Sequence, residues 1–476
     1  MSGQLSMAMS ELNKISAVNL ARLIATGKVS PVEAVAAALE RVEQTEPQLN
    51  AFIQVDAAGA RSAARRAEAD VSSGGPLGPL HGVPISVKDL IDVEGLQATY
   101  GSLTLKNAVA SADSPAVERV RAAGAIIIGK TTTSEFGYRG YTKSLVHGNT
   151  RNPWDLQRTP GGSSGGAAAS VAAGVTAIAL GTDGGGSIRA PSSLTGLVGI
   201  KANFGRVPVW PASATPTLAH VGPMARSVAD AASLLSVCAG PDARDPFSFL
   251  TPLGATPTPE EVRRLRVAFS PTLGYAKVEQ PVAAAVSKAV ENLEEIFPAI
   301  ELLDKICDDE GEILAREFIG GCSARLEDVV DNDPQSIDPP LLAAIKDFRS
   351  LSADHYSRLL RRRLQHRETL RKFFERYDLL LTPTTPCAAW DIDRALPPGH
   401  ENAIVWSYFT YPFNLTGQPA GSLPCALSTE GLPIGLQFVV PLCCESRLIG
   451  AMLAAEAVLE TPCPLPVTNV GRVPVT

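Results

Sequence analysis

Gly161-Gly162-Ser163-Ser164-Gly165-Gly166, followed by Gly181-Thr182-Asp183-Gly184-Gly185-Gly186-Ser187-Ile188-Arg189, sets serines inside glycine-dense turns at two places. Glycine lets the backbone approach a ligand and aim N–H groups at it, so a serine between glycines is placed for chemistry. The run between the turns, Gly165 to Gly181, is rich in Ala and Gly and too short for the roughly 20 apolar residues of a membrane span. It reads as a buried helix leading into a buried strand.

Outward from this run the same alternation continues. Short apolar strands over 85–87, 125–128 and 176–180 alternate with helices over 114–123, 164–173 and 228–238, the pattern of an α/β fold. Upstream, helices are expected over 17–26, 31–45 and 57–71, the second opened by Ser30 as N-cap and Pro31 at its first position. Beyond Pro246 the chain turns charged and helical, with long candidates over 282–295 and 340–377, before strand-like 379–381 and 436–440 return to the earlier style. The expected division is an N-terminal helical layer at 1–78, a core at 79–240, a variable, mostly helical substrate-shaping region at 241–390 and a C-terminal return to the core sheet at 391–476, all within one large domain.

Composition narrows the function. The chain has 476 residues, 45% hydrophobic, with a formal net charge of −7, which argues against nucleic acid as a partner because phosphate binding needs a basic face. The arginines at 358, 361, 362, 363, 367 and 371 alternate with Glu368 and Glu375 and read as a solvated helix face. Eight cysteines lie scattered without metal-ligand spacing, so neither a metal site nor a disulfide scaffold is signalled. The first 30 residues lack the pattern of a secretory leader, and a cytoplasmic enzyme without a cofactor is expected.

Two familiar motifs match by letter and fail by context. Gly124-Ala-Ile-Ile-Ile-Gly-Lys-Thr131 fits the phosphate-loop pattern, but its middle is a buried strand preceded by a helix. Gly161-Gly-Ser163-Ser-Gly165 fits the nucleophile elbow, but a loop precedes it, and no downstream histidine has supporting context; His220 is the best of them.

A serine–lysine pairing asks for less. A neutral lysine can take a serine proton in place of histidine, yet an exposed lysine is neutral in only about one molecule in 2500 at pH 7. Burial lowers its pKa by disfavouring the charged form, and Lys88, after Val83-Pro-Ile-Ser-Val87, has an apolar setting. Pairing of Lys88 with Asp89 at a strand end is an equal alternative on pattern alone.

With HGVPISVKD at 81–89, Gly129-Lys-Thr131, Asn152-Pro-Trp154, the two serine turns and their 24-residue serine spacing, Gly196-Leu-Val-Gly-Ile-Lys201, Val221-Gly-Pro-Met-Ala-Arg226 and Asn414-Leu-Thr-Gly-Gln-Pro419, the chain resembles the amidase signature family of serine hydrolases. The resemblance runs over most of the chain and is weakest from about 245 to 375. It implies a central mixed, twisted sheet flanked by helices on both faces. It also implies that Ser187 is the nucleophile, Ser163 a bridging serine on a cis peptide and Lys88 the terminal base. Backbone N–H groups of Gly184, Gly185, Gly186 and Ser187 would then hold the oxyanion, with Ser164, Asp183 and Arg189 in support.

For substrate, the resemblance implies an amide, carbamate or ester. One branch is the glutaminase subunit of the tRNA-dependent amidotransferase, which carries an acidic residue for the substrate ammonium where this chain has Ala219 and His220. Phe136, Tyr138, Trp210, Thr215, Phe318 and Trp406, with Tyr411, are the pocket candidates and suggest an uncharged aryl or alkyl compound. The expected partner is that small molecule, without nucleic acid or membrane; a homodimer is compatible with the sequence.

Overall fold

The computed structural model describes residues 9–400 and 406–459. Cys463, the first residues of the expected 1–78 layer and the end of the 391–476 segment lie outside the described residues. In chain order the strands are Phe52–Val55 (β1), Pro84–Lys88 (β2), Ile126–Thr131 (β3), Lys143–Ser144 (β4), Gly148–Asn149 (β5), Ile178–Thr182 (β6), Val198–Lys201 (β7), Val221–Ala225 (β8), Val267–Phe269 (β9), Ile300–Leu302 (β10), Leu379–Pro383 (β11), Ala420–Leu427 (β12) and Pro433–Val439 (β13). β4 and β5 form a small hairpin, and the other eleven form one mixed sheet in the order β1-β3-β2-β6-β8-β7-β12-β13-β11-β9-β10.

The continuous apolar runs are explained by a sheet covered on both faces. Side chains alternate along a strand, and in β3 Ile127 joins one apolar cluster while Ile126 and Ile128 join another. The first cluster includes the helices Val228–Cys238 and Glu445–Leu459; the second takes Leu39, Val42, Ala60 and Ala64 from Pro31–Leu49 and Ala57–Ser73. Ser30 opens Pro31–Leu49 with a capping box closed by Glu33. Gly165–Ala172 is buried along its whole length. Its glycines are required by close approach: a Cβ on Gly166 would lie 2.3 Å from Thr132 Oγ1.

The mostly helical 241–390 region also supplies β9, β10 and, at the expected 379–381, β11 to the central sheet. Two sequence expectations need correction. The single helix expected over 340–377 is two, Pro339–Arg349 and Ala353–Arg376, because the Ser352 hydroxyl accepts the His355 N–H and starts a new helix. The arginine face is only partly solvated: Arg362 pairs with Glu310 and Glu312, while mostly buried Arg363 pairs with Glu317 and bonds the Thr217 and Leu415 carbonyls. These bonds tie Ala353–Arg376 to Gly311–Arg325, the helix that borders the site.

Candidate active site

β2, β3 and β6 run parallel, and their carboxyl ends meet the two serine turns. Open α/β sheets bind ligands at that end. Lys88 closes β2 and is fully buried; its Nζ lies 2.8 Å from Ser163 Oγ, 2.8 Å from Ser164 Oγ and 2.8 Å from Thr182 Oγ1. Burial drives the Lys88 pKa well below the ordinary lysine value, and the Asp183 charge only partly opposes this. Asp89 does not pair with Lys88. It faces Lys130 at 3.0 Å, inside β3, where the letters of the phosphate-loop match are a strand and Lys130 Nζ donates to the Gln97 carbonyl.

Ser163 follows a cis Gly162–Ser163 peptide in a turn held by the Thr142 hydroxyl, which donates to the Gly161 carbonyl and accepts the Gly165 N–H. Ser187, half-buried, lines the same cavity as Ser163, Thr182 and Gly184. Lys88, Ser163 and the cavity wall bearing Ser187 are thus brought together from three separate segments.

The loop before Ser187 is organised by Asp183. Its carboxylate accepts the Gly186 N–H at 2.7 Å and the Ile188 N–H at 3.2 Å, and receives Arg189 Nε and Nη2 at 2.9 Å each. Asn414 Nδ2 adds a bond of 2.9 Å. Burial pushes the Asp183 carboxyl up, but Arg189, Lys201 and Asn414 outweigh it and hold the group well below the usual carboxylate range. Arg189 in turn reaches the Thr410 carbonyl, Gln437 and Asn414, so the loop is fixed to the far side of the sheet.

This network corrects the expected oxyanion set. The Gly186 N–H is committed to Asp183, leaving Gly184, Gly185 and Ser187 as backbone donors to consider. Gly186 has a different duty: it sits at φ +135° with a would-be Cβ 2.2 Å from Thr410 Oγ1, while that hydroxyl donates to the Gly185 carbonyl at 2.7 Å. Ser164, expected in support, contacts both Lys88 and the Thr182 carbonyl.

Two cavities meet at Ser187. The larger, with about 640 Å³ of empty volume, is lined by Leu90, Tyr100, Phe136, Thr215, His220, Phe318 and Arg325 among others; the smaller, about 340 Å³, is lined by Tyr138, Arg139, Leu314, Phe318 and Trp406. Phe136, Thr215, Phe318, Tyr138 and Trp406 therefore reach the site. Trp210 does not line either cavity: its ring lies under the Arg244 guanidinium at 5.0 Å, and its neighbours Val209 and Pro211 line the wall instead. Tyr411 is buried behind the site, its hydroxyl donating to Asp309. His220 is buried, and its Nδ1 faces the Leu218 carbonyl at 2.8 Å and the Asp183 carbonyl at 3.1 Å, which requires the proton on Nδ1. Burial, aided by Lys201, drives its pKa well below the ordinary histidine value. Thr182, Leu90, Leu314 and Arg325 were missed by sequence reasoning; only Thr182, inside the second serine turn, carried a signal.

Against known proteins, the family model described as Amidase matches residues 33–449. A glutamyl-tRNA(Gln) amidotransferase subunit of Symbiobacterium thermophilum is 38% identical, the match covering 94% of this chain and 97% of that protein. An acylamidase of Rhodococcus erythropolis is 34% identical, covering 90% of this chain and 91% of the other. A solved bacterial aryl acylamidase of the amidase signature enzymes superposes with a TM-score of 0.87 at 29% identity, covering 93% of this chain and 96% of that one. No helix among the described residues is long and apolar enough to cross a membrane.

Proposed function

The chain belongs to the amidase family, whose members include hydrolases of amides, and from that premise we propose that it cleaves a carboxamide carrying an aryl or alkyl body, uncharged around the scissile bond. The observation that carries this reading is the fully buried Lys88 amine 2.8 Å from Ser163 Oγ, with Ser163 and Ser187 on one cavity wall.

Proton inventory supports Lys88 as base. The Ser164 hydroxyl donates to the Thr182 carbonyl at 3.1 Å, so toward Lys88 it can only accept. A neutral amine has two N–H bonds and one lone pair. With its N–H bonds on Ser164 and Thr182, the lone pair faces Ser163. As Ser187 Oγ attacks the carbonyl carbon, its proton passes to Ser163 while the Ser163 proton passes to Lys88 Nζ. N–H groups of Gly184, Gly185 and Ser187 supply the donors for the oxyanion, each such donor being worth about 3–4 kcal/mol in the transition state. The C–N bond then breaks as Ser163 protonates the leaving amine, with Lys88 returning its proton to Ser163. Water attacks the acyl-enzyme through the same two groups, releases the acid and restores the Ser187 hydroxyl. The same steps would serve a carbamate or an ester.

A second reading, the glutaminase-type subunit of a tRNA-dependent amidotransferase, draws on the similarity to such subunits. The cavity chemistry favours the first: no aspartate or glutamate is among the residues lining the larger cavity, and Ala219 and His220 stand on its wall, so the ammonium of free glutamine would lack a partner. The purified chain alone should release the aniline from a chromogenic anilide and lose this in Ser187→Ala. An organophosphonate should label Ser187. Labelling elsewhere, or glutamine hydrolysis in preference to anilides, would overturn the proposal.

A further inference from the structure

The larger cavity has a charge asymmetry that its catalytic end does not use. Arg325, the last residue of Gly311–Arg325, is exposed at the cavity edge, and its guanidinium lies over the rings of Tyr100 at 5.1 Å and Phe136 at 5.7 Å. Among the described residues it pairs with no carboxylate, unlike Arg139, Arg189 and Arg363 around the same site. The acids beside the aromatic wall are engaged elsewhere. Asp92 accepts the Tyr100 hydroxyl at 2.8 Å, and Glu135 accepts the Ser102 hydroxyl at 2.6 Å and the Asp338 N–H at 2.8 Å.

Aromatic faces hold a guanidinium by its plane and leave its N–H edge available, which is the edge that receives a carboxylate bidentately. Much of the cavity lining is apolar, with Leu90, Val209, Pro211, Ala212, Ala214 and Phe318 beside the neutral polar Ser213, Thr215 and His220. The cavity therefore offers a nucleophile, a lining that is uncharged apart from Arg325 and, at its edge, that cation without an acid to neutralise it.

We propose that Arg325 is a specificity-determining residue, and that the substrate is an amide whose apolar or aromatic body ends, remote from the scissile carbonyl, in a carboxylate held by the Arg325 guanidinium. This rests on the amidohydrolase reading and refines the expectation of an uncharged substrate: the neighbourhood of the scissile bond stays neutral, and the far end is anionic.

The probes are 4-acetamidobenzoate and 4-acetamidotoluene, which differ in the remote carboxylate. For the wild-type chain kcat/KM should favour the carboxylate, and Arg325→Met should lower the ratio of the two values by about tenfold or more, mainly through KM, with Arg325→Lys recovering part of it. Added salt should reduce the wild-type preference, because the cation is exposed. A ratio near one in the wild type, or one unmoved by Arg325→Met, overturns the proposal. Calorimetric binding of the same two compounds to Ser187→Ala keeps the questions apart. Tighter carboxylate binding that depends on Arg325, without turnover by the wild type, would sink the hydrolase reading and leave the anion site standing; equal binding of both would sink the anion site.

Discussion

Ser164 accepts a hydrogen bond from Lys88 Nζ at 2.8 Å while its own proton is spent on the Thr182 carbonyl at 3.1 Å. One side chain thereby dictates how the buried amine is turned. Ser164→Ala should cost roughly one buried hydrogen bond, about 1 kcal/mol, and so lower kcat about fivefold with KM little changed. Steady-state kinetics on an anilide check this. A loss as large as that of Ser163→Ala would show that Ser164 does more than orient the amine.

Lys88 must be neutral to accept a proton. Because burial lowers its pKa in the folded protein, the protonated, inactive form gains only as pH falls through that lowered value, and kcat/KM should drop on the acid side. Lys88→Met should lower kcat/KM by about 10²–10⁴ near neutral pH, as expected for loss of a general base, and the deficit should shrink at high pH where hydroxide substitutes. A pH–rate profile of the variant parallel to that of the wild type would rule Lys88 out as the base.

Asp183 and Arg189 are both fully buried at 2.9 Å, and removing one partner leaves the other charged without compensation. Asp183→Asn should destabilise the fold by about 3–5 kcal/mol and also, by removing the carboxylate charge, weaken the hydrogen bond from the Gly186 N–H that shapes the loop before Ser187. The folded-state pKa of Asp183 is depressed, so its contribution is complete above the ordinary aspartate value and is lost as pH falls through the lowered one. Denaturant melts from pH 7 downward should therefore bring the wild type and variant together only at strongly acid pH.

What the sequence made legible was local. The serine turns, Lys88 and the buried run between them could be read because glycine density and an apolar strand before a lysine are short-range signals. β9 and β10 were not read, since three-residue strands in a charged stretch gain their sheet identity from partners far along the chain: β9 pairs with β11, more than a hundred residues away. Trp210 was placed in the pocket by residue type and lies against Arg244 instead, a choice made by tertiary contacts. The break at Ser350-Leu351-Ser352 carries neither Gly nor Pro, so only the cap formed by Ser352 reveals it. Gly186 was legible as a glycine needed in the turn, but its N–H could not be assigned without seeing the Asp183 carboxylate beneath it.

Glu135 lies behind the site, almost wholly buried, and burial pushes its pKa up to about 7. One carboxylate oxygen accepts the Ser102 hydroxyl and the other the Asp338 N–H, immediately before the helix Pro339–Arg349. Since the folded state holds this proton more tightly than the unfolded chain, stability is greatest below the ordinary glutamate value and declines as pH rises from there toward 7. Glu135→Gln removes the charge and keeps the shape. Its carbonyl can accept the Asp338 N–H while its amide donates to Ser102, whose proton then turns to Thr104 Oγ1 at 2.8 Å. The variant should therefore match the wild type near pH 4 and gain on it up to pH 7, by at most about 3 kcal/mol. Chemical denaturation at a series of pH values measures that gap, and a gap that is constant with pH would show that folding does not shift the titration of Glu135.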